Sequence, residues 1–424
     1  MSARERDHHL FSPGPKRILA LDGGGVRGLI TLGMLKRVED ILRAQSAEPE
    51  TFRICHYFDL IGGTSTGAII ATLLALGETV DDITDLYFEI CPKIFGGGRW
   101  IPGYWSKFDT KKFDASMKAA FQKVLIKNGV QPHEPTVGTD LLKTGLALVT
   151  KRIDTGSVWV QTNNPQHKFW DKSSEYWSEY WSKRPEAAGF HDNKNFELRK
   201  LAQASAAAPY YLDAIELAIG PDETGLFFDG AVSPFNNPSL ELFLMTTLKS
   251  FPQDGGTPGR SPFGFGWETG ANRLYMMSLG TGSWQNRVDT KVFQRLPAVS
   301  KGLYALRLVM ADAEQTGVTL LQAFSDTSAG HFVDENLGTM TDLKIDWHPL
   351  LSYRRVNPTL SSKWLIENLG DEFSARQGFN ERALIRMQQL DLAQKANLQR
   401  CHQIGLATGA KLINEDDFVP AFRI

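Results

Sequence analysis

A serine framed by glycines is the first feature of this 424-residue chain that could carry out chemistry. The stretch Gly63-Thr-Ser-Thr-Gly67 fits the GxSxG pattern, in which the serine occupies a very tight turn between a strand and a helix. Such a turn strains the serine backbone, admits only glycine two positions before and after, and directs the positive helix N-terminus at the hydroxyl. The pattern predicts Ser65 as a nucleophile; the alternative is a helix N-cap without chemistry.

A glycine-rich turn follows the first predicted strand, at Asp22-Gly-Gly-Gly-Val-Arg-Gly28. Its spacing matches the dinucleotide fingerprint, which also requires an acidic residue about 20 positions on, at the end of a second strand. The nearest acids, Glu39 and Asp40, lie instead inside a helical run, which argues against a dinucleotide site. The second interpretation is an oxyanion hole, in which backbone N–H groups converge on a developing negative charge.

The base that would accept the serine proton is not marked by any of the nine histidines, none of which stands in a triad motif. Phe227-Phe-Asp-Gly-Ala231 instead places an acid at the end of a short apolar strand, and the carboxyl ends of parallel strands are where α/β sheets carry their chemistry. Asp229 could act directly as a general base if burial raised its pKa. The alternative is an ordinary Asp-Gly turn.

Two strand–turn–helix units near the start of the chain must position these residues. The first combines a strand at 17–21 with a helix at 28–45, and the second a strand at 57–61 with a helix at 68–76. Such units predict an α/β fold with a parallel sheet covered by helices on both faces. Further predicted strands are 146–153, 158–162, 226–229 and 275–279, and further predicted helices are 80–90, 113–125, 196–206, 300–324 and much of 380–412.

Taken in order, DGGGVRG at 22–28, GTSTG at 63–67 and DGA at 229–231 resemble the patatin-like phospholipase family. The resemblance covers about residues 17–285 and implies a three-layer α/β/α fold with a mostly parallel central sheet. It also implies a Ser–Asp dyad, with Ser65 as nucleophile and Asp229 as general base and proton acceptor.

The resemblance assigns further roles around this dyad. Backbone amides of Gly23, Gly24 and Gly25 would form the oxyanion hole, with Arg27 and Gly28 beside them. Gly63 and Gly67 would shape the nucleophile turn, and Gly230 and Ala231 the turn after the base. The implied activity is that of a phospholipase A or lysophospholipase, which cleaves fatty-acyl esters through an acyl-serine intermediate without metal or cofactor.

Other functions stay open at this point. A catalytically silent or nucleotide-regulated binding protein could use the same fold, since fold alone does not guarantee function. Some members of the family are effectors switched on by signalling nucleotides. A dinucleotide-binding oxidoreductase is a remote alternative, because the second strand and its acid are missing.

Composition sets the expected partners and compartment. With 46 Lys and Arg against 48 Asp and Glu, the chain has no basic field for nucleic acid. Three widely spaced cysteines fit neither a disulfide framework nor a zinc site. No signal peptide is apparent, and the longest apolar run is about half a membrane span. We expect a cytoplasmic protein that is peripheral to membranes at most. Its expected partners are a phospholipid or other acyl lipid as substrate and a membrane surface in transient contact. Association with a second copy of itself stays open.

The predicted organisation has three parts: a flexible tail at 1–16, a catalytic domain at 17–330 and a mainly helical C-terminal extension at 331–424 packed on it. The catalytic domain carries an aromatic insertion at about 163–190 and a Gly- and Pro-rich loop at about 251–271. If the insertion is helical, Trp170, Trp177 and Trp181 would share one face, which suits an interfacial lid, packing over the core or a dimer contact.

Overall fold

The structure is a computed structural model. It describes residues 5–95, 107–184, 189–250, 261–283, 290–326, 330–334, 336–387, 394–418 and 420–423. Its strands are β1 (Lys16–Leu21), β2 (Leu60–Thr64), β3 (Gly145–Arg152), β4 (Val158–Thr162), β5 (Ile215–Ala218), β6 (Thr224–Asp229), β7 (Leu274–Leu279), β8 (Ser325–Asp326) and β9 (Leu351–Val356). Its helices are α1 (Glu5–Phe11), α2 (Gly28–Gln45), α3 (Thr66–Ala75), α4 (Val80–Phe95), α5 (Thr110–Lys127), α6 (Ser178–Ser182), α7 (Leu198–Ser205), α8 (Ser239–Thr247), α9 (Thr290–Arg295), α10 (Ala298–Ala323), α11 (Ser362–Leu369), α12 (Asp371–Gln377), α13 (Glu381–Met387) and α14 (Lys395–Leu412).

The described strands form one sheet in the order β5-β6-β3-β2-β1-β7-β9-β8, with β4 also paired to β3. The strands from β3 through β8 in this order are parallel, whereas β4, β6 and β5 are attached by antiparallel pairings. A mostly parallel central sheet confirms the predicted α/β class. It also brings the carboxyl ends of β1, β2 and β7 to one edge, where ligands bind in open α/β sheets.

Alternating side chains of the central strands enter two separate cores, as expected for a sheet buried on both faces. On β1, Leu19 and Leu21 pack in the larger core, which includes apolar residues of α2, α3, α4, α5, α7 and α14. Ile18 and Ala20 of the same strand pack in the second core, with residues of α8 and the end of α10. The molecule therefore has three layers, helices–sheet–helices.

The N-terminal segment departs from the prediction of a flexible tail. Residues 5–11 form α1, in which Arg6, His9 and Leu10 are buried. His9 Nδ1 lies 2.9 Å from Asp59 Oδ1, and the carbonyl oxygen of Leu10 accepts a hydrogen bond from the Trp267 indole at 3.1 Å. The expectation is wrong for this helix, because its buried side chains find apolar and charged partners that are far away in the chain.

The C-terminal part is more than a helical extension. Strand β9 inserts beside β7 in the central sheet, with Tyr275 paired to Ser352 and Leu279 to Val356. Helix α14 packs along α2, burying Leu398 and Ile404. This segment therefore completes the sheet and covers one of its faces.

The aromatic insertion is not one continuous helix. Among its described residues, 163–184 and 189–190, only α6 and a short 3₁₀ turn at Glu175–Trp177 are helical, and Trp170 precedes both and is 7% exposed within the main core. The indoles of Trp177 and Trp181 donate to the carbonyl oxygens of Gln166 and Lys168. The single tryptophan face that the sequence suggests is therefore not formed. Of the second predicted insertion, residues 251–260 lie outside the described residues.

Candidate active site

Ser65 lies at the sharp turn between β2 and α3. Its backbone has φ 56° and ψ −124°, in a region that a residue with a side chain rarely adopts. Gly63 and Gly67 flank this turn, and neither position has room for a side chain. A Cβ on Gly63 would lie 2.2 Å from the carbonyl carbon of Gly67, and a Cβ on Gly67 would lie 2.2 Å from the carbonyl oxygen of Leu21. The local geometry is that of a nucleophile turn.

Asp229 lies next to Ser65 because β2, which leads to the serine, and β6, which ends at the acid, both pair with β3. Thr64, just before the serine, pairs with Val149, and Asp229 pairs with the next residue, Thr150. The Ser65 hydroxyl donates to Asp229 Oδ2 at 2.6 Å, although the two residues are 164 positions apart. Because β6 is antiparallel to β3, the prediction that the acid ends a parallel strand is wrong, but its place at this edge of the sheet is right.

The environment of Asp229 suits a proton acceptor. The residue is 3% exposed, and Oδ1 accepts a hydrogen bond from the backbone N–H of Ala231 at 2.8 Å, in the 3₁₀ turn that begins at Gly230. Burial raises the pKa of Asp229 to about 7, against the opposing effect of the hydrogen bonds from Ser65 and Ala231. A carboxylate with this pKa is ionised above neutral pH and is a stronger base than an exposed aspartate.

Replacing Asp229 with asparagine should stabilise the fold at alkaline pH. Because the pKa is about 7 in the folded protein and near 3.8 ordinarily, folding binds a proton, and ionised Asp229 costs stability as the pH rises through this window. The cost approaches about 4 kcal/mol at pH 8. We expect chemical denaturation to show Asp229→Asn more stable than wild type at pH 8, by about 2–4 kcal/mol. The difference should shrink at pH 5, and a pH-independent difference would contradict the burial argument.

Ser205 supports the nucleophile turn from α7. Its buried hydroxyl accepts a hydrogen bond from the Ser65 backbone N–H at 2.8 Å and donates to the Val149 carbonyl oxygen at 2.6 Å. The hydroxyl thus ties the turn to β3 and satisfies a buried amide. The sequence contains no signal for this role, since a serine among alanines at the end of a helix has many uses.

The glycine loop after β1 passes next to Ser65. A Cβ on Gly23 would lie 3.0 Å from the Ser65 Cβ, which shows how close the two turns are. The N–H of Gly23 already donates to the carbonyl oxygen of Asn236 at 3.1 Å. The N–H groups of Gly24 and Gly25, by contrast, have no hydrogen-bond partner among the described residues. Of the three amides predicted for the hole, that of Gly23 is therefore already in use, whereas those of Gly24 and Gly25 are available to a ligand.

Gly28 and Arg27, the other two residues predicted for the glycine loop, contribute packing and positive charge. Gly28 begins α2, and its N–H bonds back to Gly25 O, so its amide also serves structure. A Cβ there would lie 2.6 Å from Thr66 Oγ1. Arg27 is 4% exposed and borders the cleft above the dyad, and burial lowers its pKa to about 10, which leaves it cationic at neutral pH.

An open cleft of about 1620 Å³ leads to the dyad. One wall is mainly apolar and belongs to α3, α4 and α5, with Ile69, Ile90, Ile94 and Phe113 among its residues. The lining residues from α10 and the C-terminal part are more polar and include Arg307, Glu314 and Asn357. The volume exceeds the about 300–1,000 Å³ of ordinary ligand pockets and accommodates a molecule with a long apolar part and a polar end.

The aromatic insertion contributes none of the described residues that line this cleft. It packs instead near α1, where the Arg6 guanidinium lies 5.6 Å from the Trp170 ring. Within the residues that the structure describes, no helix combines the length and apolar character needed to cross a membrane.

Comparison with known proteins places the first half of the chain in context. A family model described as "Patatin-like phospholipase" matches residues 19–243, a span that contains both Ser65 and Asp229. The match ends before β7, β9 and the helices of the C-terminal part.

Individual relatives point the same way. The chain is 30% identical over 225 residues to a "cGAMP-activated phospholipase" of Vibrio cholerae, covering 53% of this chain and 56% of that one. It is 26% identical over 276 residues to "Patatin-like protein 4" of Arabidopsis thaliana, covering 63% and 59%. A 78-residue stretch is 50% identical to a "cUMP-AMP-activated phospholipase" of Escherichia coli, covering 18% and 22%. The chain thus spans less than two thirds of the length of each of these relatives.

Proposed function

This chain belongs to the patatin-like phospholipase family, and from that premise we propose that it is a lipid acyl hydrolase in which Ser65 is the nucleophile and Asp229 the general base. The observation that carries the proposal is the 2.6 Å hydrogen bond from the Ser65 hydroxyl to Asp229 Oδ2. The strained serine backbone and the raised pKa of the acid support the same roles.

In the first step, Asp229 accepts the hydroxyl proton as Ser65 Oγ attacks the carbonyl carbon of the ester. The carbonyl oxygen becomes an oxyanion, which the N–H groups of Gly24 and Gly25 would stabilise together with the N-terminal end of α2. When the intermediate collapses, the carbon–oxygen bond to the alcohol breaks, and Asp229 returns the proton to the leaving oxygen. The products are acyl-Ser65 and a free lipid alcohol.

In the second step, water enters the position that the alcohol has left. Asp229 accepts a proton from this water as its oxygen attacks the acyl carbon, and the same two amides stabilise the second oxyanion. Collapse breaks the bond to Ser65 Oγ, which recovers its proton from Asp229. The free fatty acid leaves, and the enzyme is ready for another cycle.

We infer that the substrate is a phospholipid or lysophospholipid taken from a membrane surface. The shape of the cleft supports this, because its apolar wall suits an acyl chain and its polar wall suits a headgroup. The test is to incubate the purified chain with vesicles of mixed phospholipids and to measure fatty acids and lysolipids by mass spectrometry. We expect wild type to release fatty acid and Ser65→Ala to release none. If Ser65→Ala releases as much fatty acid as wild type, Ser65 is not the nucleophile.

The pH dependence of hydrolysis should follow the protonation of Asp229. Because burial raises its pKa to about 7, the base is protonated and inactive at lower pH. We expect log kcat/KM to rise with a slope near one up to about pH 7 and then to level off. Initial rates on a soluble short-chain ester would measure this without disturbing a membrane. A rate that is constant from pH 5 to pH 8 would contradict the role of Asp229.

We further propose that a cyclic dinucleotide activates the chain, as the names of two relatives state for those proteins. Vesicle assays with and without cGAMP or cUMP-AMP test this, and an unchanged rate with each would count against it. The catalytically silent alternative expects no fatty-acid release under any of these conditions. The oxidoreductase alternative has no support from the family match.

A further inference from the structure

A buried arginine from the C-terminal part holds the residue just before the glycine loop. Arg355, on β9, donates from Nη1 to Asp22 Oδ1 at 2.8 Å and from Nη2 to Asp22 Oδ2 at 2.6 Å. The two side chains are 1% and 2% exposed. Such a two-pronged pair fixes direction as well as distance. Arg355 lies beyond the part of the chain that the family model matches.

The same guanidinium is anchored on two further sides. Arg355 Nη1 also donates to Ser278 Oγ on β7 at 2.8 Å, and Nη2 donates to Glu314 Oε1 on α10 at 2.9 Å. Glu314 in turn accepts from the side chain of Asn236, whose backbone carbonyl holds the Gly23 amide. The position of Asp22, and with it the start of the glycine loop, is therefore set by a network that spans β7, β9 and α10.

The negative charge of Asp22 links this network to the stabilisation of the oxyanion. An uncompensated carboxylate one residue before Gly23 would repel the oxyanion that the loop has to stabilise. Burial raises the pKa of Asp22 to about 7, and the positive charge of Arg355 works against that rise by favouring the ionised form; without Arg355 the pKa would be higher still, and the acid would ionise only as the pH rises further. Among the described residues, the charges of Glu314 and Arg27 also act on Asp22: Glu314 raises its pKa and Arg27 lowers it. Arg355 thus neutralises a negative charge next to the site where a negative charge develops.

We propose that Arg355 is a positioning residue for the oxyanion hole: it orients the loop through both oxygens of Asp22 and cancels the charge of that carboxylate. This inference rests on the proposed function. It assigns a part of the reaction to a strand that the sequence analysis did not identify. It also makes residues 19–243, the part that carries the dyad, dependent on the C-terminal part for the geometry of the hole.

Replacing Arg355 with glutamine tests the proposal. We expect kcat for ester hydrolysis to fall about 100-fold with KM within about threefold, since the loss affects the oxyanion and leaves substrate binding in place. The double variant Asp22→Asn/Arg355→Gln removes the unpaired acid and should recover at least about tenfold of the lost kcat at alkaline pH, where that acid ionises, and little at neutral pH, where it is protonated. If Arg355→Gln does not fold, Arg355→Lys takes its place, because lysine keeps the positive charge but cannot form the bidentate pair with Asp22. We then expect kcat to fall about tenfold.

A matched control is Arg199→Gln. Arg199 is also buried and ion-paired, with Asp114 at 2.7 Å and Glu134 at 3.0 Å, but it holds α5 and α7 together and does not contact the glycine loop. The Arg199→Gln variant should have a lower melting temperature than wild type and a kcat close to that of wild type. A kcat loss that this control reproduces, or folded Arg355 variants with wild-type kcat, would overturn the proposal.

Labelling by a fluorophosphonate separates this proposal from the proposed function, because its phosphoryl oxygen occupies the oxyanion hole whatever the natural substrate is. We expect Arg355→Gln to slow the labelling of Ser65 by about the same factor as kcat. If wild type is neither labelled nor hydrolytic, the proposed function has failed. If wild type is labelled and Arg355→Gln is labelled equally fast, only the role of Arg355 has failed.

Discussion

Asp229→Asn should lower kcat about 10³–10⁴-fold while keeping the fold. Asparagine has nearly the shape of aspartate, so its oxygen can still accept from the Ala231 N–H. Its amide nitrogen, however, would face Ser65 Oγ as a donor and cannot take the hydroxyl proton. The serine would keep its position and lose its base. Initial rates of fatty-acid release, with circular dichroism to check the fold, measure this effect.

The matched control is Asp222→Asn, which makes the same chemical change at an exposed acid in the turn before β6. It should leave kcat within about twofold of wild type, since an exposed charge at this distance is screened by solvent. A folded Asp229→Asn protein that keeps more than a tenth of the wild-type rate would show that another group takes the proton. The dyad assignment would then be wrong.

Gly67→Ala should destabilise the fold by about 3 kcal/mol or more and abolish hydrolysis in whatever protein remains folded. The new Cβ would lie 2.2 Å from the carbonyl oxygen of Leu21 and 2.7 Å from that of Asp22. Both contacts are with backbone, so relief requires β1 and the glycine loop to move away from the nucleophile turn. The gain in helix propensity within α3 is only about 1 kcal/mol and does not offset this clash.

Gly302→Ala provides the comparison, because Gly302 lies in α10 and a Cβ there meets nothing within 4 Å. The same substitution should stabilise the protein there by about 0.5–1 kcal/mol. Urea denaturation of both variants gives the two free energies of unfolding. Equal stability of Gly67→Ala and wild type would mean that the turn is looser than the packing of its backbone indicates.

The dyad could be predicted to different degrees from the sequence. Ser65 is readable because all its requirements are local: a strand, two glycines and a helix within a few residues. Asp229 was found from a strand end and the family resemblance, but its pairing with the serine depends on strands 164 positions apart. Nothing in the local sequence indicates that β6 joins β3 in the antiparallel direction, because the apolar pattern of a strand does not specify its partner.

The support around the dyad was largely beyond prediction. Gly23 has the same residue type as Gly24 and Gly25, so only the position of the Asn236 carbonyl shows that its amide is already in use. Arg355 lies in a strand whose other residues are ordinary, and its partner Asp22 is 333 positions away. Helix α1 was missed for a similar reason, since its seven residues gain stability from tertiary contacts and not from their own propensity.

The central claim, that Ser65 is a nucleophile activated by Asp229, is tested most directly by locating the covalent adduct of a fluorophosphonate. Purified wild type, Ser65→Ala and Asp229→Asn would be treated alike, digested and analysed by mass spectrometry. The account predicts one adduct on the peptide containing Ser65 in wild type, none in Ser65→Ala and a strongly slowed reaction in Asp229→Asn. Hydrolytically active wild type that carries its adduct on another residue would contradict it.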